Sequence, residues 1–437
     1  MTSDQPVTMG VRDVLRIPDF RRLWVAQSIS DIGDGMTLTA LLLLVTTLGA
    51  TTTTLAVMSI AIAIPTVIFG LVAGAVADRY DRRRIMLASD LLRAGLVASF
   101  VLVATLERLP ILVVLASLQA TVGVFFGPAR GALVARVVPR EGLLAANSLS
   151  QISRIAFGLI GTGVTGVVAG ITGLVWPVFL VDAATFLVSV AIVWGVDRSI
   201  TKPTGAAHAA AIGMVASLRD GLAVVGRSRA LQATIFGAAV VMLGVGAINT
   251  LFYPFMIREL AVSPIWSGPV EAAQTASMIL AGVLVAPLGR RLGAPRLVTF
   301  GLAGVAVVVA ALSQVQDLVG LLVVLFAVGW FITPLQAASA TIIQSATDDS
   351  SRGRVIATFQ TAMSTTTILS TALAGIFADQ LGIRNVFLLG GATAAVGAVV
   401  AGLLFWLDRR ASSATAGPES DPAEAPSGVA MAITADG

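Results

Sequence analysis

Three polar residues at helical spacing near the N-terminus are the first candidates for chemistry. Gln27, Asp31 and Asp34 are separated by four and three residues within an apolar stretch, which places them on one face of a helix. Two carboxylates one turn apart in a medium of low dielectric constant cannot easily both stay ionised. A group that binds and releases protons needs this property, so Asp31 and Asp34 are candidates for proton coupling or substrate contact. The alternative is a structural role, in which Arg130 or Arg154 from neighbouring apolar stretches neutralises their charge.

Other ionisable residues also fall inside apolar stretches, where a charge is costly and by default indicates function. Asp90 and Arg93 are three residues apart and are predicted to neutralise each other as a structural pair. Asp182 has no partner on its own helix, which makes it a weaker candidate for proton binding. Arg130 is expected to pair with an aspartate of the first span, or else to contact an anionic substrate. Glu271 is placed near the outer end of its span, where it could simply reach water.

Further residues could shape a site without carrying charge. Asn249 and Tyr253 are four residues apart and could line a cavity, although helix packing is the more common role for such residues. Gly158, Gly166 and Gly170 lie at multiples of four residues and predict close contact between helices.

The composition excludes several classes of protein. Of the 437 residues, 56% are hydrophobic and 12% are charged, whereas soluble chains are about 25% charged. Most of the surface must therefore face lipid, and neither an enzyme nor a nucleic-acid partner is expected. The sequence has no cysteine, one histidine (His208) and one lysine (Lys202). We therefore expect no metal site, no catalytic triad and no bound cofactor.

Twelve apolar stretches are each long enough to cross a bilayer. They predict an all-α membrane protein with one six-helix half over residues 20–196 and a second over 230–407. A polar segment, 1–19, precedes the first half, and a linker, 197–229, separates the two. Residues 408–437 are rich in Ala, Ser, Pro and acidic residues, which predicts a disordered tail.

The basic residues alternate as a twelve-span chain requires. Of the 28 lysines and arginines, 22 fall on the side that holds both termini, 3 on the opposite side and 3 inside spans. Basic residues are enriched on the cytoplasmic side of membrane proteins. The sequence therefore predicts that both termini, the linker and the tail are cytoplasmic.

The two halves resemble each other at an offset of 208 residues. At this offset Arg82-Arg83 matches Arg290-Arg291, and the same offset aligns Val178-Phe179-Leu180 with Val386-Phe387-Leu388. Two similar halves of six helices are typical of secondary transporters, which bind their substrate near the middle of the membrane between the halves.

The loop after the second span carries a family resemblance. It reads Gly74-Ala75-Val76-Ala77-Asp78-Arg79-Tyr80-Asp81-Arg82-Arg83-Arg84, which resembles the signature loop of the major facilitator superfamily, with Asp81 where glycine is usual. This variant resembles the branch that holds macrolide efflux proteins and the enterobactin exporter. Other phrases that fit the branch are Asp19-Phe20-Arg21-Arg22-Leu23-Trp24, Phe126-Gly127-Pro128-Ala129, Ala146-Asn147-Ser148-Leu149 and Leu218-Arg219-Asp220-Gly221-Leu222.

The resemblance implies a cytoplasmic gate at this loop, made of Gly74, Asp78, Arg79, Asp81, Arg82 and Arg83. In the superfamily such an acid bridges the two halves and stabilises one facing state. Gly74 is expected to let two helices approach closely. The alternative is a plain basic anchor at the membrane surface.

The resemblance also implies a function. The fifth span is similar to the glycine-rich motif of drug–proton antiporters, with Thr162 where proline is usual. We expect a monomeric transporter of the bacterial cytoplasmic membrane that exports an amphipathic small molecule, such as a drug, macrolide or siderophore. The proton motive force would drive it, and its partners would be protons, substrate and the lipid bilayer. The alternatives are an importer or a lipid or nutrient transporter of the same fold, and, from another class, a non-transporting receptor.

Overall fold

The computed structural model describes residues 9–197 and 214–415, and the described elements are all helical. Twelve helices are long and apolar enough to cross a membrane, which confirms the predicted twelve-span, all-α fold. Lys202, His208 and most of the predicted tail lie outside the described residues.

The N-terminal half contains the first six spans, preceded by a short surface helix. Short 3₁₀ turns, Leu106–Arg108 and Arg140–Gly142, lead into the fourth and fifth spans. The helices are α1 (Val11–Leu15), α2 (Pro18–Thr47), α3 (Thr52–Arg79), α4 (Arg82–Val103), α5 (Leu109–Val137), α6 (Leu143–Thr172) and α7 (Trp176–Trp194).

The C-terminal half contains the other six spans, again preceded by a surface helix. A π-helical turn, Phe255–Glu259, and a 3₁₀ turn, Pro264–Trp266, connect its first two spans. The helices are α8 (Met214–Arg227), α9 (Arg229–Pro254), α10 (Ser267–Leu292), α11 (Ala294–Leu312), α12 (Leu318–Ser345), α13 (Asp349–Leu381) and α14 (Ile383–Thr415).

Two boundaries differ from the sequence-based prediction. Helix α8 lies within 197–229, so part of the predicted linker is helical and packs against α13. Helix α14 runs to Thr415, so the first residues of the predicted disordered tail are helical too. Both segments have low hydropathy, so an apolar pattern does not predict these helices.

The two halves are built from the same five helix pairs. In the first half α2 packs against α6 and α7, α4 against α5 and α7, and α3 against α5. The second half repeats each pair seven helices later: α9 with α13 and α14, α11 with α12 and α14, and α10 with α12. The contacts between the halves are paired in the same way, α3 with α13 and α6 with α10. This confirms the predicted pseudo-symmetry.

The apolar core is arranged differently at the two ends of the bundle. We call the end that holds residues 9–17 and 227–229 the linker end, and the end that holds residues 48–51 and 260–263 the far end. At the far end one buried cluster contains side chains of both halves, among them Phe100, Phe179 and Phe387. At the linker end each half has a separate cluster, one around Phe20 and the other around Phe405. The halves therefore join most fully at the far end.

Two polar contacts also hold the halves together at the far end. Arg258 at the end of α9 donates to the carbonyl oxygens of Thr46 (2.6 Å) and Ala50 (2.8 Å), which lie at and just beyond the C-terminal end of α2. Asp379 on α13 accepts from the backbone N–H groups of Thr52 (3.0 Å) and Thr53 (3.3 Å), in the first turn of α3. A cation thus faces a helix C-terminus and an anion faces a helix N-terminus, the favourable arrangement for both.

Candidate functional site

A cavity of about 800 Å³ lies between the two halves. Side chains of α2, α3 and α6 line it from one half, and side chains of α9, α10 and α12 from the other. Its wall is mainly aliphatic and aromatic, with a few polar groups, the usual character of a small-molecule site. The polar and charged lining residues are Thr39, Ser59, Arg154, Thr162, Asn249, Tyr253, Glu271, Gln274 and Thr275.

Four of these residues form a hydrogen-bonded network across the cavity. The hydroxyl of Tyr253 lies 3.3 Å from Glu271 Oε1 and 3.5 Å from Thr39 Oγ1. The hydroxyls of Thr39 and Thr162 are 3.0 Å apart, and Thr162 also bonds Glu271. Because Thr39 and Thr162 belong to the first half and the other two to the second, the network joins the halves at the cavity.

The two charged residues of the lining stand at different depths. Glu271 is near the level of Thr162, whereas Arg154 is eight residues earlier on α6. At 1.5 Å per residue this separates Arg154 from Thr162 by about 12 Å along the helix axis. Arg154 bonds Gln151 on its own helix, with 2.7 Å between Nη2 and Oε1. A molecule in the cavity would meet a carboxyl group toward the far end and a guanidinium toward the linker end.

A second group of ionisable residues is buried within the N-terminal half. Arg93 on α4 forms an ion pair with Asp34 on α2, and its guanidinium stacks over the ring of Phe186, 4.1 Å from the centroid. Asp90 and Asp182 are fully buried beside this pair. We call Asp34, Asp90, Asp182 and Arg93 the acidic cluster.

Hydroxyl groups hold the two buried acids of the cluster. Asp182 accepts from Thr37 (2.5 Å) and from Thr185 on its own helix (3.0 Å), and Asp90 accepts from Ser189 (2.6 Å). The prediction that Asp90 and Arg93 pair with each other was wrong: Arg93 reaches across to α2, while Asp90 is bound from α7. Their spacing on α4 made a contact between Asp90 and Arg93 possible, but it could not reveal the competing partners on neighbouring helices.

The acidic cluster contains more acid than base. Three carboxyl groups share the single guanidinium of Arg93, and buried charge without a partner is strongly disfavoured. The cluster can remove the excess negative charge by binding protons.

Asp31 lies in a different environment from Asp34, although both are on α2. Its Oδ1 accepts from Gln27 Nε2 at 2.6 Å, and within the described part of the chain its Oδ2 has no hydrogen-bond partner. The charges of Arg130 and Arg154 act on Asp31 from α5 and α6. The predicted candidates of the first span thus face two different sets of arginines.

Glycines let α2 approach its neighbours closely. A Cβ atom on Gly33 would strike the Asp182 carboxyl group, and one on Gly35 would strike the carbonyl oxygen of Gly158. Gly166 and Gly170 lie against Pro264 and Ile265 of the other half, where a Cβ would come within 3 Å of their atoms. A Cβ on Gly158 itself would enter open space.

The predicted gate loop is bound to other parts of the N-terminal half. Asp81 caps α4 by accepting from the N–H of Arg84 (3.1 Å), and Arg83 bonds the carbonyl oxygens of Val193 (3.2 Å) and Trp194. Arg82 is buried, with Nε 3.4 Å from the carbonyl oxygen of Ala77, whereas Asp78 and Arg79 are exposed. The expectation for Gly74 was wrong, since a Cβ there meets no atom within 4 Å.

Several site residues were missed or misplaced by reasoning from the sequence. Glu271 lies near the outer end of its span, as predicted, in the second turn of α10, and its side chain is in the cavity wall, since α10 and the preceding 3₁₀ turn both contact α6. The hydroxyl partners Thr37, Thr39 and Ser189 gave no signal of their own. Asp182 does have a partner on its own helix, Thr185, three residues away.

The fold and the site together define a class of protein. Two similar six-helix bundles around a central cavity are the architecture of a major facilitator transporter. The chain belongs to that superfamily, and within it to the family described as transmembrane secretion effectors, whose model matches residues 13–430.

Characterised and uncharacterised relatives match along most of the chain. The MFS-type transporter YfiS of Bacillus subtilis, described as uncharacterised, is 26% identical and covers 84% of this chain and 89% of its own. Macrolide efflux protein A of Streptococcus pyogenes is 23% identical, and the match covers 85% of this chain and 92% of its own. The multidrug efflux pump Tap of Mycobacterium tuberculosis is 26% identical, with 86% and 91% covered.

Solved structures share the fold at low identity. The nucleoside transporter NupG superposes with a TM-score of 0.73 at 13% identity, covering 88% of this chain and 98% of its own. A bacterial homologue of the lysosomal transporter Spinster, in an inward-facing conformation, superposes with a TM-score of 0.63 at 14% identity. The match covers 90% of this chain and 96% of its own.

Proposed function

We propose that this protein exports amphipathic small molecules across the bacterial cytoplasmic membrane in exchange for protons. The observation that carries the proposal is the way α2 connects two sites. Thr37 on α2 bonds the acidic cluster, and Thr39, two residues later, belongs to the network of the cavity. A change of charge in the cluster and occupation of the cavity would therefore act on the same turn of helix.

The cavity supports an amphipathic substrate. Its apolar wall would hold a hydrophobic body, while Glu271, Arg154 and the amide groups of Asn249 and Gln274 offer partners for polar substituents. The names of two relatives, macrolide efflux protein A and multidrug efflux pump Tap, support export of drug-like molecules.

The acidic cluster supports proton coupling. An antiporter needs a site that is protonated in one facing state and deprotonated in the other, so that the gradient biases the exchange. Asp34 is the exposed member of the cluster, with 39% of its side chain accessible against 9% for Arg93. Asp34 would connect the cluster with water, and Asp182 and Asp90 would share the charge within the half.

Alternating access is supported by the unequal ends of the bundle. The shared apolar cluster, together with Arg258 and Asp379, closes the far end, while the linker-end cores remain separate. The distribution of arginines favours a cytoplasmic linker end. On this basis the proposed cycle would take up substrate at the linker end, from the cytoplasm, and export would require the far-end contacts to break.

Accumulation assays in cells test the proposal. Cells that overproduce the protein should retain less ethidium and less erythromycin than cells that lack it, and adding an uncoupler should remove the difference. The Asp34→Asn variant, produced at the same level, is the matched control and should behave like the deletion strain. Equal retention in overproducing and deletion strains would contradict export, and greater retention on overproduction would indicate import.

A further inference from the structure

A groove on the outer surface of the C-terminal half has the chemistry of a lipid site. It has a volume of about 390 Å³ and runs between α11 and α14, away from the central cavity. Its lining consists of Arg296, Thr299, Phe300 and Ala303 of α11, and Gly402, Phe405, Trp406 and Arg409 of α14.

The lining residues form one stripe on each helix. On both helices the four positions are spaced i, i+3, i+4 and i+7, which places them on a single face. The helices are antiparallel, so Arg296 near the start of α11 lies beside Arg409 near the end of α14. Both arginines are therefore at the linker end of the groove, and the aromatic and small residues continue from them toward the middle of the membrane.

The dimensions suit the upper part of a phospholipid. Seven residues separate Arg296 from Ala303, which corresponds to about 10 Å along the helix. Gly402 forms the narrow floor, where a Cβ would lie 3.4 Å from the Thr299 methyl group. Phe300 and Trp406 are 45% and 47% exposed, so they offer their surfaces to an acyl chain.

The charges at the mouth select an anion. Arg296 and Arg409 are both exposed, and arginine is well suited to bind phosphate through paired N–H groups. The N-terminus of α11 begins at the same mouth, and its N-cap, Gly293, provides no side-chain cap. A cation in the first turn of a helix is disfavoured by the helix dipole, and a bound anion would relieve this for Arg296.

We propose that this groove binds an anionic phospholipid, whose headgroup phosphate lies between Arg296 and Arg409 and whose acyl chain packs against Phe300 and Trp406. A lipid is the occupant because the groove opens on the apolar outer face of a span, and basic pockets between transmembrane helices bind acidic headgroups. This inference does not depend on the transported substrate.

Fluorescence quenching by lipids with brominated acyl chains tests the proposal on the purified full-length protein. Trp406 lies in the groove, and the difference between the wild type and Trp406→Phe isolates its signal from the other five tryptophans. We expect brominated phosphatidylglycerol to quench Trp406 at a lower mole fraction than brominated phosphatidylcholine, with a preference of about fivefold for each arginine.

Three variants make the test specific. Arg296→Gln with Arg409→Gln should abolish the preference for the anionic lipid, whereas Arg290→Gln with Arg291→Gln, which removes equal charge at the same end outside the groove, should retain it. Gly402→Leu should fill the floor and weaken quenching by both lipids. Gel filtration and circular dichroism establish that each variant is folded.

Two results would overturn the proposal. The first is equal quenching of wild-type Trp406 by the two lipids, which would make the groove an ordinary part of the lipid-facing surface. The second is an unchanged preference for the anionic lipid in the Arg296→Gln, Arg409→Gln variant, which would show that these arginines do not bind the headgroup.

Discussion

Arg93 on α4 is bound to Asp34 on α2 and covers the ring of Phe186 on α7, so one guanidinium ties together three helices of the N-terminal half. The same guanidinium acts on the charges of Asp90 and Asp182. Loss or gain of a proton in the cluster therefore changes the force with which Arg93 holds α2. Since α2 also lines the cavity, the proposed coupling of protonation to substrate binding would act through this pair.

Replacing Asp34 by asparagine should uncouple the transporter. The amide cannot alternate between charged and neutral forms, and it loses a charge-assisted bond to Arg93, so we expect gradient-driven transport to fall by about tenfold or more. Exchange of labelled for unlabelled substrate without a gradient should continue. Glu107→Gln, which removes an exposed acid at the far end, is the matched control. Gradient-driven transport unchanged by Asp34→Asn would exclude Asp34 as the coupling residue.

Replacing Arg93 by glutamine should destabilise the protein in a pH-dependent manner. Removal of one partner of a buried ion pair costs about 3–5 kcal/mol when the remaining charge stays buried. Acid lowers this cost by protonating the carboxyl groups, so the difference in Tm from the wild type should shrink as the pH falls. The double variant Arg93→Gln, Asp90→Asn should recover part of the loss, because it removes one of the acids. A Tm deficit that is constant with pH would argue against a shared charge.

The far-end contacts of Arg258 and Asp379 should set the balance between facing states. A hydrogen bond to a charged group contributes about 1.5–3 kcal/mol, so Arg258→Gln or Asp379→Asn should shift the equilibrium toward far-end opening by about tenfold to a hundredfold. The sequence has no cysteine, so spin labels can be placed at Thr47→Cys and Leu381→Cys on opposite halves. We expect a longer distance between the labels to become more populated in either variant than in the parent, and an unchanged distribution would remove these residues from the gate.

Glu271 should select among substrates by charge. Its carboxyl group lies in an apolar wall and is held by Tyr253 and Thr162, so an organic cation in the cavity would favour its charged form and pair with it. Glu271→Gln should weaken binding of ethidium by about tenfold, the value of one charge-assisted interaction, and should leave a neutral amphipathic ligand nearly unaffected. Tyr253→Phe, which keeps the ring and loses the hydroxyl, should give a smaller effect in the same direction. Equal loss for charged and neutral ligands would mean that Glu271 only supports the cavity wall.

Features with a strong one-dimensional signal were predictable from the sequence. Apolar length fixes the twelve spans, and the match of Arg82-Arg83 with Arg290-Arg291 anticipates the repeated helix pairs. Asp31, Asp34 and Asp182 were singled out because acids are rare inside spans, and all three are buried or cluster-forming residues of the N-terminal half.

Features that depend on the facing of helices were not predictable. Arg93 has an acid three residues away on its own helix, and only the packing of both α2 and α4 against α7 shows that it binds Asp34 instead. Glu271 is near a helix end, and only the contact between α10 and α6 shows that it lies in the cavity wall. Hydroxyl partners such as Thr37 and Thr39 cannot be told from ordinary helix-packing residues until their neighbours are known.

Counter-transport in reconstituted vesicles tests the central claim most directly. Protein in liposomes is given a proton gradient, and ethidium movement and internal pH are recorded together for the wild type and for Asp34→Asn. For the wild type we expect ethidium to move against the direction of proton flow, with each movement dependent on the other. For Asp34→Asn we expect neither ethidium movement nor proton movement under the gradient. Ethidium movement that follows its own gradient and leaves the internal pH unchanged in the wild type would contradict proton-coupled export.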